Sequence, residues 1–170
     1  MKRMSDYLGE ELKIFQNSIW KREFELRTQD NVIAKLFFPK YYSDLAELKI
    51  GEEEFEFHRP KFFSWDAAIR KKGYQNPFAS FKNNFWGRKG VLELPRGVKL
   101  NIKTGCFRKQ SEMYLRENEP LITIFSKFSI KEKSLVVIEK RSEVIDDHPW
   151  VIMFGFYLAV LLRRTSTIGK

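Results

Sequence analysis

The stretch PWVIMFGFYLAVLL, residues 149–162, runs for fourteen positions without a charged side chain and is apolar on every side of a helix. Such a helix needs apolar surroundings all round, inside a large core or inside a membrane. As a helix it is about 21 Å long, short of the ~30 Å hydrocarbon layer of a bilayer. It therefore reads as a core helix. Asp146-Asp147 and Pro149 read as its N-terminal capping region, and Arg163-Arg164 close it in favour of its dipole. In water such a helix has to be enclosed. A closed sheet encloses it and at the same time removes exposed strand edges.

The preceding residues supply that sheet. Strands are expected at Ile19–Arg27, Val32–Phe38, Ala46–Ile50, Glu53–Phe57, Phe62–Arg70, Tyr74–Phe81 and Phe85–Leu94. Further strands are expected at Val98–Lys103, Cys106–Lys109, Glu112–Arg116, Leu121–Phe128 and Leu135–Lys140. In Val98–Lys103, Val98, Leu100 and Ile102 take one face while Lys99, Asn101 and Lys103 take the other, the period of a half-buried strand. Many short strands at this spacing signify an all-β sandwich or barrel. The expected fold is mainly β: one domain, a closed antiparallel β-barrel of about twelve strands around a buried C-terminal α-helix. Its strands would occupy about 19–140 and its helix about 149–163. Residues 1–17 read as a short amphipathic helix or a loose terminus, with Leu8, Leu12 and Phe15 on one side.

A meander of short strands ending in one wholly apolar helix resembles the tubby C-terminal-like superfamily. That superfamily takes in the tubby proteins, the plant LURP-one-related proteins and the phospholipid scramblases. The parts that match are the strand series Ile19–Lys140 and the helix Pro149–Leu162. The resemblance is one of architecture and transfers no binding residue to this chain. It implies a closed barrel wrapped on the helix. It also implies, as for some members, phosphoinositide binding or membrane association, although fold alone does not carry function.

Charge points to the sign of a partner. The net charge is +9, and between Arg70 and Lys109 eleven basic residues stand against one acid, Glu93. The candidate anion-binding set is Arg70, Lys71, Lys72, Lys82, Arg88, Lys89, Lys99, Lys103, Arg108 and Lys109, with Arg96 in the same run. Tyr74, Phe78, Phe81, Phe85, Trp86 and Phe107 are interleaved with it. Cations beside aromatic wedges suit anionic lipid headgroups. They also suit single-stranded nucleic acid, through phosphate contacts and stacking. A basic, solvated barrel wall with its aromatics turned inward gives the same pattern. Residues 83–90 would place Phe85 and Trp86 at a membrane interface if they formed a loop tip, but they read more simply as the start of a strand.

Catalysis finds little in the chain. Cys106 has Arg108 and Lys109 nearby to lower its thiol pKa, but only His58 and His148 are available as a base. Glu52-Glu53-Glu54 reads as a solvated turn. No glycine-rich phosphate loop, zinc spacing or calcium loop is present, so no cofactor is expected. The expectation is a non-enzymatic binding module for anionic phospholipid, with a protein-interaction domain, a nucleic-acid binder and a Cys-dependent enzyme as alternatives. One cysteine, and an N-terminus whose apolar residues are broken by Asp6, Glu10, Glu11 and Lys13, fit a cytoplasmic protein at most peripheral to a membrane.

Overall fold

Alternation of apolar and polar residues decides which face of each strand turns inward. The computed structural model describes residues 1–18, 20–85, 88–106, 109–126 and 132–168, without the side chains of 85, 106, 132–133 and 166–168. Among the described residues twelve strands form. They are β1 (Leu12–Ser18), β2 (Glu23–Arg27), β3 (Val32–Phe37), β4 (Ala46–Ile50), β5 (Glu53–His58) and β6 (Ala67–Lys71). The second half comprises β7 (Ala79–Phe85), β8 (Lys89–Glu93), β9 (Lys99–Cys106), β10 (Lys109–Arg116), β11 (Glu119–Ser126) and β12 (Glu132–Ile138). Each pairs antiparallel with its chain neighbour, and Leu12 of β1 lies opposite Val136 of β12, which closes the barrel. In β9, Leu100 and Ile102 are buried while Lys99 and Lys103 face out, as the alternation requires.

Two helices follow, α1 (Glu143–Asp147) and α2 (Val151–Ile168). Within α2, Val151, Ile152, Met153, Phe154, Phe156 and Tyr157 have no exposed surface. Rings from around the barrel meet it: Phe24 packs on Phe156 at 5.0 Å, Phe57 on Phe154 at 5.3 Å and Phe81 on Phe154 at 5.8 Å. On another side Gly155 admits Met113 and Ser111, which a Cβ would meet at 2.0 and 2.8 Å. The Tyr157 hydroxyl donates to the Asp44 carbonyl at 2.7 Å, and burial raises its pKa so far that it stays protonated.

The structure departs from the sequence reading in several places: β2 begins only at Glu23 and β7 only at Ala79, and the expected strand Phe85–Leu94 is divided between the end of β7 and β8. Residues 1–17 hold no amphipathic helix beyond a 3-10 turn at Met4–Tyr7, and Leu12–Ser18 is a full strand between β12 and β2. Its true period is two, with Leu12 and Ile14 buried. Asp146 and Asp147 do not cap the long helix. They belong to α1, whose cap is Ser142, and Asp146 accepts the Ser5 N–H at 2.7 Å. A proline disfavours helical backbone in the residue before it, so His148 ends α1 and α2 starts after Trp150. Phe62–Ser64 is a loop, and β6 begins only at Ala67.

The helix gives the barrel two distinguishable ends. It enters beside Phe55, Phe78 and Trp150, where α1 and the N-terminal turn also sit, and this is the entry rim. It leaves where Arg164 donates to the Ser43 carbonyl at 3.3 Å, and this is the exit rim. With strands alternating in direction, the β1–β2, β3–β4 and β5–β6 connections all lie at the exit rim.

Candidate functional site

The basic run 70–109 is divided between the two rims. Arg70, Lys71, Lys72 and Lys99 lie towards the entry rim, and each meets a carboxylate. Arg70 Nε donates to Glu56 at 2.6 Å, Lys71 pairs with Glu53 at 3.3 Å, and Lys72 with Glu47 at 2.7 Å and Glu54 at 3.3 Å. Lys99 stands 3.8 Å from Glu93. Glu53 and Glu54 are thus ion-pair partners within β5 rather than residues of a solvated turn. Other entry-rim cations are likewise matched: Lys2 with Glu10, Arg3 and Arg141 with Asp6, and Lys140 with Glu119.

Of the remaining described members, Lys109 is ion-paired and the others have no ion pair among the described residues. Lys89 lies directly opposite Lys103 across β8 and β9, near the exit rim, and the Lys103 ammonium sits 4.9 Å over the Tyr114 ring. Lys109 pairs with Glu112 at 2.7 Å. Burial alone would raise the Glu112 pKa, but the Lys109 and Tyr114 hydrogen bonds and the charges of Lys109 and Lys103 carry it below the ordinary carboxylate value. Lys82, Arg88 and Lys89 are exposed and have no ion-pair partner among the described residues. Arg96 sits in the β8–β9 turn with φ 64°. Arg108, Phe107, Trp86 and the Phe85 side chain lie outside the described residues.

The exit rim carries a feature that charge counting misses. Pro39-Lys40-Tyr41-Tyr42-Ser43 and Pro60-Lys61-Phe62-Phe63-Ser64 are the same loop built twice, between β3 and β4 and between β5 and β6. In each the serine N–H donates to the lysine carbonyl, at 3.3 and 3.2 Å. In each the serine Oγ accepts the N–H two residues on, at 3.1 Å. The aromatic pairs stand edge to face within themselves, 4.9 Å apart at 82° and 5.3 Å apart at 88°. All four rings are exposed: Tyr41 72%, Tyr42 96%, Phe62 83% and Phe63 97%. Trp20, exposed in the β1–β2 turn at the same end, adds a fifth. The repeated Pro-Lys-aromatic-aromatic-Ser was readable in the sequence as an internal duplication.

Three arginines hold these loops. Arg59 donates through Nη2 to the Phe62 carbonyl at 3.1 Å, through Nε to the Ser64 carbonyl at 3.0 Å and through Nη1 to Asp44 at 3.0 Å, joining one loop to the other. Arg22, itself at φ 50°, donates to the Tyr41 carbonyl at 2.9 Å. Arg164 donates to Ser43 and lies 4.3 Å over the Phe38 ring, which Arg22 also covers at 5.0 Å. Arg59→Ala is expected to cost about 1–2 kcal/mol, because the half-buried Ser64 carbonyl and Asp44 lose their donor. It should also open both loops to cleavage after their aromatic residues by chymotrypsin. Arg59→Lys should not rescue, since an ammonium lacks the planar fork. Melting and limited proteolysis read both effects, and unchanged cleavage in Arg59→Ala would refute the pinning.

For chemistry the arrangement offers less. His58 lies in β5 and His148 at the C-terminus of α1; burial lowers both pKa values, with Arg70 adding to the effect on His58 and Arg96 to that on His148. The Cys106 side chain lies outside the described residues. Among the described residues no three His, Cys, Asp or Glu side chains form a group able to hold a metal ion, and no helix is long and apolar enough to cross a membrane. No known family model, curated protein or solved structure matches this chain.

Proposed function

We propose that this chain is a non-catalytic module that binds an anionic phospholipid surface through its exit rim, as a cytoplasmic protein attached peripherally. One observation carries the reading. Lys21, Lys40, Lys61, Arg88 and Lys89 stand exposed at that rim without a carboxylate partner among the described residues, whereas most entry-rim cations are neutralised in pairs. A molecule so polarised turns its positive end to a negative surface. With ~1 kcal/mol for each Lys or Arg at an anionic leaflet, five cations supply enough attraction for reversible binding. The closed barrel around a helix is consistent with a tubby-like architecture, and that likeness supports the reading as an analogy of fold only.

The test is co-sedimentation with phosphatidylcholine vesicles, with and without phosphatidylserine, at low and high salt. Binding is expected only with the anionic lipid. It should weaken steeply as salt rises, since such attraction is screened over ~8 Å at physiological strength. Lys40→Glu/Lys61→Glu/Lys89→Glu should reduce affinity by at least about a hundredfold. Lys99→Glu, at the other end, should change it less than about twofold. A parent that ignores anionic vesicles, or a triple variant that binds as the parent does, would overturn the proposal. Salt-sensitive binding to single-stranded nucleic acid alone would put that ligand in place of lipid.

A further inference from the structure

We infer that the exit rim penetrates the bilayer interface. Tyr41, Tyr42, Phe62 and Phe63 enter the layer between headgroups and acyl chains, and the barrel stands end-on with α2 pointing at the membrane. This rests on the lipid reading and adds to it a depth, an orientation and a set of residues.

The argument begins with exposure. Among the described residues six aromatic side chains are largely exposed, and five of them share the exit rim, leaving Tyr74 in the β6–β7 connection at the other end. Single exposed apolar residues are ordinary, but a concentration of them marks an interaction surface. Their exposure is also built in. Arg22, Arg59 and Arg164 fix the loop backbones from beneath, so the rings are presented outward instead of folding back on the barrel.

The form of the surface selects the occupant. The rings sit on projecting tips, in pairs that touch one another, with Lys40 and Lys61 immediately before them. Aromatic rings favour the headgroup level of a bilayer, and lysines beside them meet the phosphates. A deformable anionic layer accepts two separate tips at once. The loop being built twice fits a task that is the same at both positions.

Two measurements separate this inference from the reading beneath it. Vesicle co-sedimentation reports binding, and the rise in surface pressure of a phosphatidylserine-containing monolayer compressed to bilayer packing reports penetration. The parent is expected to do both. Y41S/Y42S/F62S/F63S should melt with the parent, because the lost rings are solvent-facing, and it should fail to raise the pressure. Its vesicle affinity should fall at least about a hundredfold, while some low-salt adsorption persists through the lysines. F63S alone, which removes a ring 97% exposed, should lose penetration in part, so the result does not depend on the quadruple variant folding. Tyr74→Ser should behave as the parent. A parent that does not bind anionic vesicles overturns the lipid reading and this inference together. A parent that binds but leaves the monolayer unmoved, or a quadruple variant that penetrates as the parent does, overturns penetration and leaves the lipid reading standing.

Discussion

Phe154→Asp is expected to abolish the cooperative thermal transition and leave the chain unfolded or aggregated. Phe154 has no exposed surface and lies at the centre of four rings, Phe57, Phe81, Trp150 and Tyr157, at centroid distances from 5.3 to 6.3 Å. Truncating a buried phenylalanine costs about 3–5 kcal/mol from lost transfer energy and the cavity left behind. A carboxylate in that cavity has no cation to meet, and burying it unpaired adds several kcal/mol more. Domains hold only about 5–15 kcal/mol in all. Phe154→Leu is the control, keeping the site apolar and losing about 1–2 kcal/mol. Circular dichroism melts of the two variants decide the matter. A Phe154→Asp protein that melts near the parent would show that α2 is not the core.

Gly90→Ala is the second large effect, expected to cost about 3 kcal/mol from one added methyl. Gly90 in β8 faces Asn83 in β7, and a Cβ there would lie 2.3 Å from Phe81 Cζ and 2.5 Å from the Lys82 carbonyl oxygen. Neither neighbour gives way easily. Lys82 O is backbone, and the Phe81 ring is 1% exposed and packed on Phe154. Gly155→Ala should cost less, although its nearest contact is shorter, because Met113 Cε is the end of a flexible side chain. Gly90→Ala/Phe81→Leu should recover part of the loss, since it removes one of the two obstructions and neighbouring substitutions are not additive. Equal melting of Gly90→Ala and the parent would refute the close approach.

The helix at 149–162 and the strand alternation in front of it were legible because both are local patterns with large energetic stakes. Strand β1 was not. Leu8, Leu12 and Phe15 fall at helical spacing, and what makes Leu12–Ser18 a strand is a demand of the ring, a partner for both β12 and β2. In the basic run the cations were legible and their ion pairs were not. Counting between Arg70 and Lys109 finds cations, but their partners Glu47, Glu53, Glu54 and Glu56 come from β4 and β5, outside the counted window. The converse holds at the exit rim. Phe62 and Phe63 read as strand residues by propensity, and only the fold shows that they point into water, beside a second loop of the same build.

Closure of the ring also orders events during synthesis. Leu12 and Val136 are register partners on paired strands, yet every other strand must leave the ribosome between them. Until β12 emerges, β1 offers an unpaired edge, and until α2 follows, the inward faces of all the strands have nothing to bury against. A nascent chain of this topology therefore carries open edges and apolar surface through most of its translation, the condition in which strands pair with the wrong copy. With contacts so distant along the chain, folding should be slow for its size. Its success depends on what shields the growing sheet before the helix arrives.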